Sequence, residues 1–86
     1  MNPVMIITGG SQGIGAAAAR MAGARGYDVA ITYQSNRDLA DQVVADIKGL
    51  GQRAIAVQAE MASEPAILAL FATVDRELGP VTALVN

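Results

Sequence analysis

The chain has 86 residues, which makes one small domain at most, or a piece of a larger one. Apolar residues make up 52% and charged residues 16%, which excludes a disordered chain, and the absence of Cys and His excludes disulfide scaffolds, Cys/His zinc centres, thiol nucleophiles and Ser-His-Asp triads within these residues. The formal net charge is −2 and the six basic residues are scattered, so no stripe exists for a nucleic-acid backbone.

The first element in chain order is Val4-Met5-Ile6-Ile7, a short apolar run ending at a glycine cluster, which reads as a strand buried on both faces. Ile14 to Ala22 is rich in alanine and predicts a helix closed near Gly26. Val29 to Tyr33 predicts a second strand from its β-branched residues. Ser35 or Asn36 is placed to cap a second helix with Asp38 in its first turn, Leu39, Val43, Ile47 and Leu50 on its apolar face, and Gly49 and Gly51 at its end. Ala54 to Val57 predicts a third strand. Ser63 caps a third helix with Pro65 in its first turn and Ile67, Phe71, Val74 and Leu78 on its apolar face. Thr82 to Val85 begins a fourth strand.

The order β-α-β-α-β-α-β predicts an α/β fold, a parallel sheet with right-handed crossovers. Residues 1–86 contain no linker or repeat, so no domain boundary is expected inside them. The apolar runs are too short to span a bilayer, and Met1-Asn2-Pro3-Val4 is not read as a leader. A cytoplasmic protein with no nucleic-acid, membrane or metal partner is expected.

The segment carrying chemistry is Thr8-Gly9-Gly10-Ser11-Gln12-Gly13-Ile14-Gly15, between the first strand and the first helix. A diphosphate brought to a helix N-terminus meets free N–H groups and the positive end of the helix dipole, and glycines remove the Cβ atoms from its path. A Walker loop requires Lys and then Ser or Thr after its last glycine; Ala16 and Ala17 stand there instead. The spacing Gly9-x-x-x-Gly13-x-Gly15 also differs from G-x-G-x-x-G. The loop candidates are Gly9, Ser11, Gln12, Gly13, Ile14 and Gly15.

The octet resembles the T-G-x-x-x-G-x-G motif of the classical short-chain dehydrogenases/reductases, and Leu84-Val85-Asn86 resembles the start of that family's N-N-A-G stretch. The resemblance covers the whole chain, and it implies that residues 1–86 are the incomplete N-terminal part of a doubly wound fold with a Rossmann-type parallel sheet, part of a single dinucleotide-binding domain. It implies hydride transfer between a nicotinamide and a carbonyl or secondary alcohol, a small-molecule substrate, and a homo-oligomer (dimer or tetramer) in the full-length enzyme. It also implies that Glu60 and Met61 flank the adenine, with Glu in place of the usual Asp, and that Asn86 sits beside the ribose or braces the loop through Thr8.

The stretch Tyr33-Gln34-Ser35-Asn36-Arg37 has no acid before Asp38. An acid there accepts from a ribose 2′-OH and repels a 2′-phosphate, whereas Ser35, Asn36 and Arg37 suit the phosphate. This favours NADP over NAD, although Gln12 stands where many NADP-preferring relatives carry Arg or Lys. Ser35 and Asn36 also serve the plainer role of helix caps.

The family's Tyr, the Lys four residues after it and its Ser are absent, so no residue here is assigned a catalytic role: Tyr27 is followed by Ile31 at that spacing, Tyr33 by Arg37, and Lys48 is the only lysine. The expectation is the N-terminal cofactor-binding part of a longer enzyme. A different class, a non-catalytic NAD(P)-binding or sensing module, fits the same loop without the Tyr/Lys pair. A methyltransferase using S-adenosylmethionine is disfavoured by the loop spacing and by Gln34 and Ser35.

Overall fold

The alternation of short β-branched runs with amphipathic segments produces seven elements: β1 (Val4–Ile7), α1 (Gly13–Ala24), β2 (Asp28–Tyr33), α2 (Arg37–Gly49), β3 (Ala54–Gln58), α3 (Glu64–Glu77) and β4 (Val81–Val85). The structure is a computed structural model and describes residues 2–86. The four strands form one sheet in the order β3-β2-β1-β4, all neighbours parallel. Every carboxyl end of a strand therefore lies at the same edge. None of the helices among the described residues is long and apolar enough to cross a membrane.

Alternation along β1 divides the core into two layers. Ile7, Val29, Ile31 and Tyr33 face α1 and α2, whereas Val4, Ile6 and Ala30 face α3. Each of the wholly buried Ile, Leu and Val side chains contributes roughly 1.5–3 kcal/mol. The small residues of α1 matter here, because Ala16, Ala19 and Ala22 are buried and let the helix axis approach the sheet. A Cβ at Gly23 would come 3.0 Å from Cγ2 of Ile47, so α2 also sits close against α1.

Two helix faces differ from the sequence reading. In α2 the buried positions are Ala40, Val43 and Ile47, and Leu39 and Leu50 stand outside the core. The spacing of three and four selects a face centred on the small residue Ala40, which permits close approach; Leu39 lies one residue, about 100°, around the helix. In α3 the buried residues are Leu70 and Val74, followed by Leu78 in the cap, whereas Ile67 and Phe71 are only half-buried at the rim. Gly49 belongs to α2 itself, and the left-handed turn that ends the helix falls on Gly51, with φ of 91°. Strands β2, β3 and β4 also each extend one residue beyond the sequence expectation, to Asp28, Gln58 and Val81.

The amino edge of the sheet is fastened by a carboxylate that no pattern in the sequence singles out. Asp28 is wholly buried. Its Oδ1 accepts from the backbone N–H of Arg53 at 2.9 Å and from Nδ2 of Asn2 at 3.1 Å, and its Oδ2 accepts from Nε of Arg53 at 3.0 Å. The same guanidinium donates to the Leu78 carbonyl at 2.7 Å. Arg53 thereby ties β2 to the carboxyl end of α3.

Burial pushes the Asp28 carboxyl upward, but the hydrogen bonds from Arg53 and Asn2 and the Arg53 charge outweigh it and hold the group below its ordinary 3.8. A folded pKa below the unfolded one means that the ionised carboxylate stabilises the fold. That contribution is complete above the unfolded value and disappears as pH falls through the folded one. The urea midpoint is therefore expected to hold steady from neutrality to mild acid and to drop below pH 3.8, with the drop reduced in Asp28→Asn. An equally steep drop in that variant would remove Asp28 as the cause.

Candidate functional site

The connection after β1 turns sharply because glycine permits it to. Gly9 and Gly13 have φ of 67° and 55°, in the left-handed region, and a Cβ built on either meets nothing within 4 Å. Space is open beside both. The other two glycines of the loop serve internal packing. A Cβ at Gly10 would lie 2.5 Å from Cγ2 of Ile31, and one at Gly15 would collide with the Gly9 carbonyl. The glycines thus split into a pair that faces open space and a pair that packs the loop against β2 and against itself, a division the spacing alone does not reveal.

The end of β2 holds this loop in place. Gly9 N–H donates to Oγ1 of Thr32 at 3.0 Å, and Gly10 N–H donates to the Thr32 carbonyl at 3.1 Å. On the other side Thr8 N–H donates to the Val85 carbonyl at 2.9 Å, and the Thr8 hydroxyl lies 3.4 Å from Oδ1 of Asn86. The loop is therefore stretched between the carboxyl ends of β2 and β4.

The start of α1 differs from the other two helix starts. Asn36 caps α2 by accepting from Leu39 N–H, and Ser63 caps α3 by accepting from Ala66 N–H; each helix carries an acid, Asp38 or Glu64, in its first turn. Gln12, before α1, makes no side-chain cap, and α1 has no acid in its first turn. The first intrahelical bond runs from Ala16 N–H to the Gln12 carbonyl, so Gly13, Ile14 and Gly15 have N–H groups with no acceptor inside the helix. The positive end of the helix dipole is left without a countercharge.

A cleft of about 420 Å³ opens at this edge. Thr8, Gly9, Ser11 and Gln12 line one wall, Thr32 to Asn36 the next, and Ala59 and Met61 the third. Of the residues singled out in the sequence, Gly9, Ser11, Gln12, Ser35, Asn36 and Met61 meet in this cleft. Gly13, Ile14 and Gly15 stand behind it as the first turn of α1, with Ile14 90% exposed. Arg37 opens α2 with its side chain 78% exposed and 3.7 Å from Asp41. The Glu60 carboxylate accepts from Ala62 N–H at 3.0 Å, closing its own turn. Asn86 does not itself line the cleft but meets Thr8, which does.

Thr32, Tyr33, Gln34 and Ala59 line the cleft without having been singled out for it. Tyr33 also packs in the α1/α2 core. Gln34 is held by Nε2 of Gln58, which donates to its carbonyl at 2.8 Å. The available signal for Thr32 was a hydroxyl near the end of a strand buried throughout, since such a group needs a hydrogen-bond partner.

The sequence profile of the family described as short chain dehydrogenase matches residues 3–86. This chain belongs to the short-chain dehydrogenase/reductase family. Among curated relatives, the uncharacterized oxidoreductase YgfF of Escherichia coli K12 is 39% identical over 83 residues, 96% of this chain and 34% of that protein. The 3-oxoacyl-[acyl-carrier-protein] reductase FabG of Staphylococcus epidermidis is 36% identical over all of this chain and 35% of its own length. A short chain dehydrogenase from Burkholderia cenocepacia, solved in complex with NADP, superimposes with a TM-score of 0.94 at 45% identity, over 98% of this chain and 34% of that one. A blue fluorescent protein from a metagenomic library, solved with NADPH, gives 0.89 at 38%, over 95% and 34%. The chain thus spans about a third of the length of these short-chain dehydrogenase relatives.

Proposed function

We propose that this chain is the N-terminal, cofactor-binding part of an NADP(H)-dependent oxidoreductase that reduces a small-molecule carbonyl or oxidises a secondary alcohol. The observation that carries the reading is the junction of an uncapped, acid-free helix start with a β2 end that also lacks an acid. The residues fit the group: the open space beside Gly9 and Gly13 admits a diphosphate to the free amides of α1. Ser11 and Gln12 add side-chain donors along the same wall.

The 2′-phosphate is assigned to the corner formed by Ser35, Asn36 and Arg37. Oδ1 of Asn36 is committed to the Leu39 amide, which leaves Nδ2 as a donor. Ser35 supplies a hydroxyl, and Arg37 supplies a charge held only by a loose, exposed pair with Asp41. Met61 packs at the adenine end, and Glu60 stands beside it. Asn86 and Thr8 brace the loop. When bound, the nicotinamide supplies or takes up the hydride. The proton donor is assigned to a Tyr outside these residues, with the Lys and Ser that the family resemblance implies. The relatives solved with NADP and NADPH support the cofactor choice.

The test is a titration of the complete enzyme with NADPH and NADH, repeated for Arg37→Asp. Removing a charge-assisted phosphate contact costs about 1.5–3 kcal/mol, so the KM for NADPH is expected to rise by about tenfold or more while that for NADH changes little. Equal effects on both would take Arg37 out of the phosphate corner. A wild-type enzyme that binds neither dinucleotide would overturn the proposed function itself.

A further inference from the structure

We infer that Thr32 is a positioning residue for the diphosphate loop, acting through Gly9 rather than on the substrate. This role rests on the reading of the cleft as a dinucleotide site. Thr32 is the penultimate residue of β2 and is only 2% exposed, yet it forms part of the cleft lining. Both of its acceptors are used on the loop: Oγ1 takes the Gly9 N–H and the backbone carbonyl takes the Gly10 N–H.

Geometry gives these two bonds a specific consequence. Gly9 is held in a left-handed conformation and has open space where a Cβ would be. Nothing packs against it from that side, so its conformation is held by its hydrogen bonds and by the seat of its carbonyl on Gly15. The carbonyl bond to Gly10 survives any side-chain change. The hydroxyl bond to Gly9 does not. It is the side-chain-dependent restraint on the residue whose carbonyl lies against Gly15, where α1 begins. A loop free to sample other conformations at Gly9 presents the α1 amides to a diphosphate for only part of the time, and affinity falls by that fraction.

The experiment compares the complete wild-type enzyme with Thr32→Val, which preserves the β-branched shape, and Thr32→Ser, which preserves the hydroxyl. Each is titrated calorimetrically with NADPH and with adenosine 2′-monophosphate, which has no diphosphate. Loss of one neutral hydrogen bond is expected to weaken NADPH binding to Thr32→Val by about five- to tenfold and to leave the monophosphate within about twofold. Thr32→Ser is expected to restore most of the loss. Unchanged NADPH affinity in Thr32→Val, or equal weakening of both ligands, overturns the role. A wild type that binds the monophosphate but not NADPH overturns it together with the dinucleotide reading.

A second measurement does not depend on the variants folding. In the ligand-free wild type, the Gly9 amide is expected to exchange its hydrogen more slowly than an open chain does. Exchange at the open-chain rate would show that the Thr32 bond is not held, and would overturn the inference.

Discussion

Exchange of Gly15 for alanine is expected to lower dinucleotide affinity by about a hundredfold or more, the loss of two hydrogen bonds to a charged group at about 1.5–3 kcal/mol each. The added Cβ would overlap the Gly9 carbonyl oxygen and lie 2.9 Å from its carbon and 3.1 Å from Cα of Gly10. All three are backbone atoms, so no rotamer relieves the clash. The loop must lift off the first turn of α1, which separates the two parts of the proposed diphosphate cradle. Gly49→Ala is the matched control: it sits in α2, has nothing within 4 Å of the new Cβ, and is expected to leave binding unchanged while adding up to about 1 kcal/mol of helix stability. Titration of both variants with NADPH reads the contrast. Wild-type affinity in Gly15→Ala would mean that the loop accommodates the methyl and that the tight approach is not required.

The second large effect is on stability. Arg53→Met leaves the wholly buried Asp28 carboxylate without its charged partner. Removing one member of a buried pair costs roughly 3–5 kcal/mol. Here the loss is expected to fall somewhat below that range, because the Arg53 side chain is 56% exposed and its charge is partly screened by solvent. The double variant Asp28→Leu/Arg53→Met is expected to recover much of the loss, since it removes the stranded charge together with its partner. Chemical denaturation of the three proteins measures the pattern. A double variant less stable than Arg53→Met alone would show that Asp28 contributes chiefly through Asn2 and the Arg53 amide.

The element order was legible because each strand is a short apolar run punctuated by Gly, Asn or Ser, and because Asn36 and Ser63 stand where a helix cap must. The helix faces were less legible. A hydrophobicity argument ranks Leu39 above Ala40, yet close packing on the sheet rewards the smaller residue. Leu70 was hidden for a related reason: α3 is apolar around much of its circumference, with Ile67, Leu68 and Phe71 beside it, so periodicity does not single out one stripe.

In the site, the loop was readable as a unit, but the work of its members was not. Gly9, Gly10, Gly13 and Gly15 are one letter in the sequence and two different physical solutions in space. Thr32 and Asp28 were missed because both lie in a strand buried at every position, where no alternation marks a polar residue as exceptional. Their partners are distant along the chain: Gly9 for one, and Asn2 and Arg53 for the other.

The corner from Gln34 to Arg37 has one more consequence. Its side chains are all exposed, and its fold is secured mainly by two fixed points, the Gln34 carbonyl held by Gln58 and the Asn36 cap. Positions 35 and 37 are therefore free to drift without mechanical penalty. If the corner holds the 2′-phosphate as proposed, two substitutions there suffice to exchange one redox currency for the other and leave the architecture untouched.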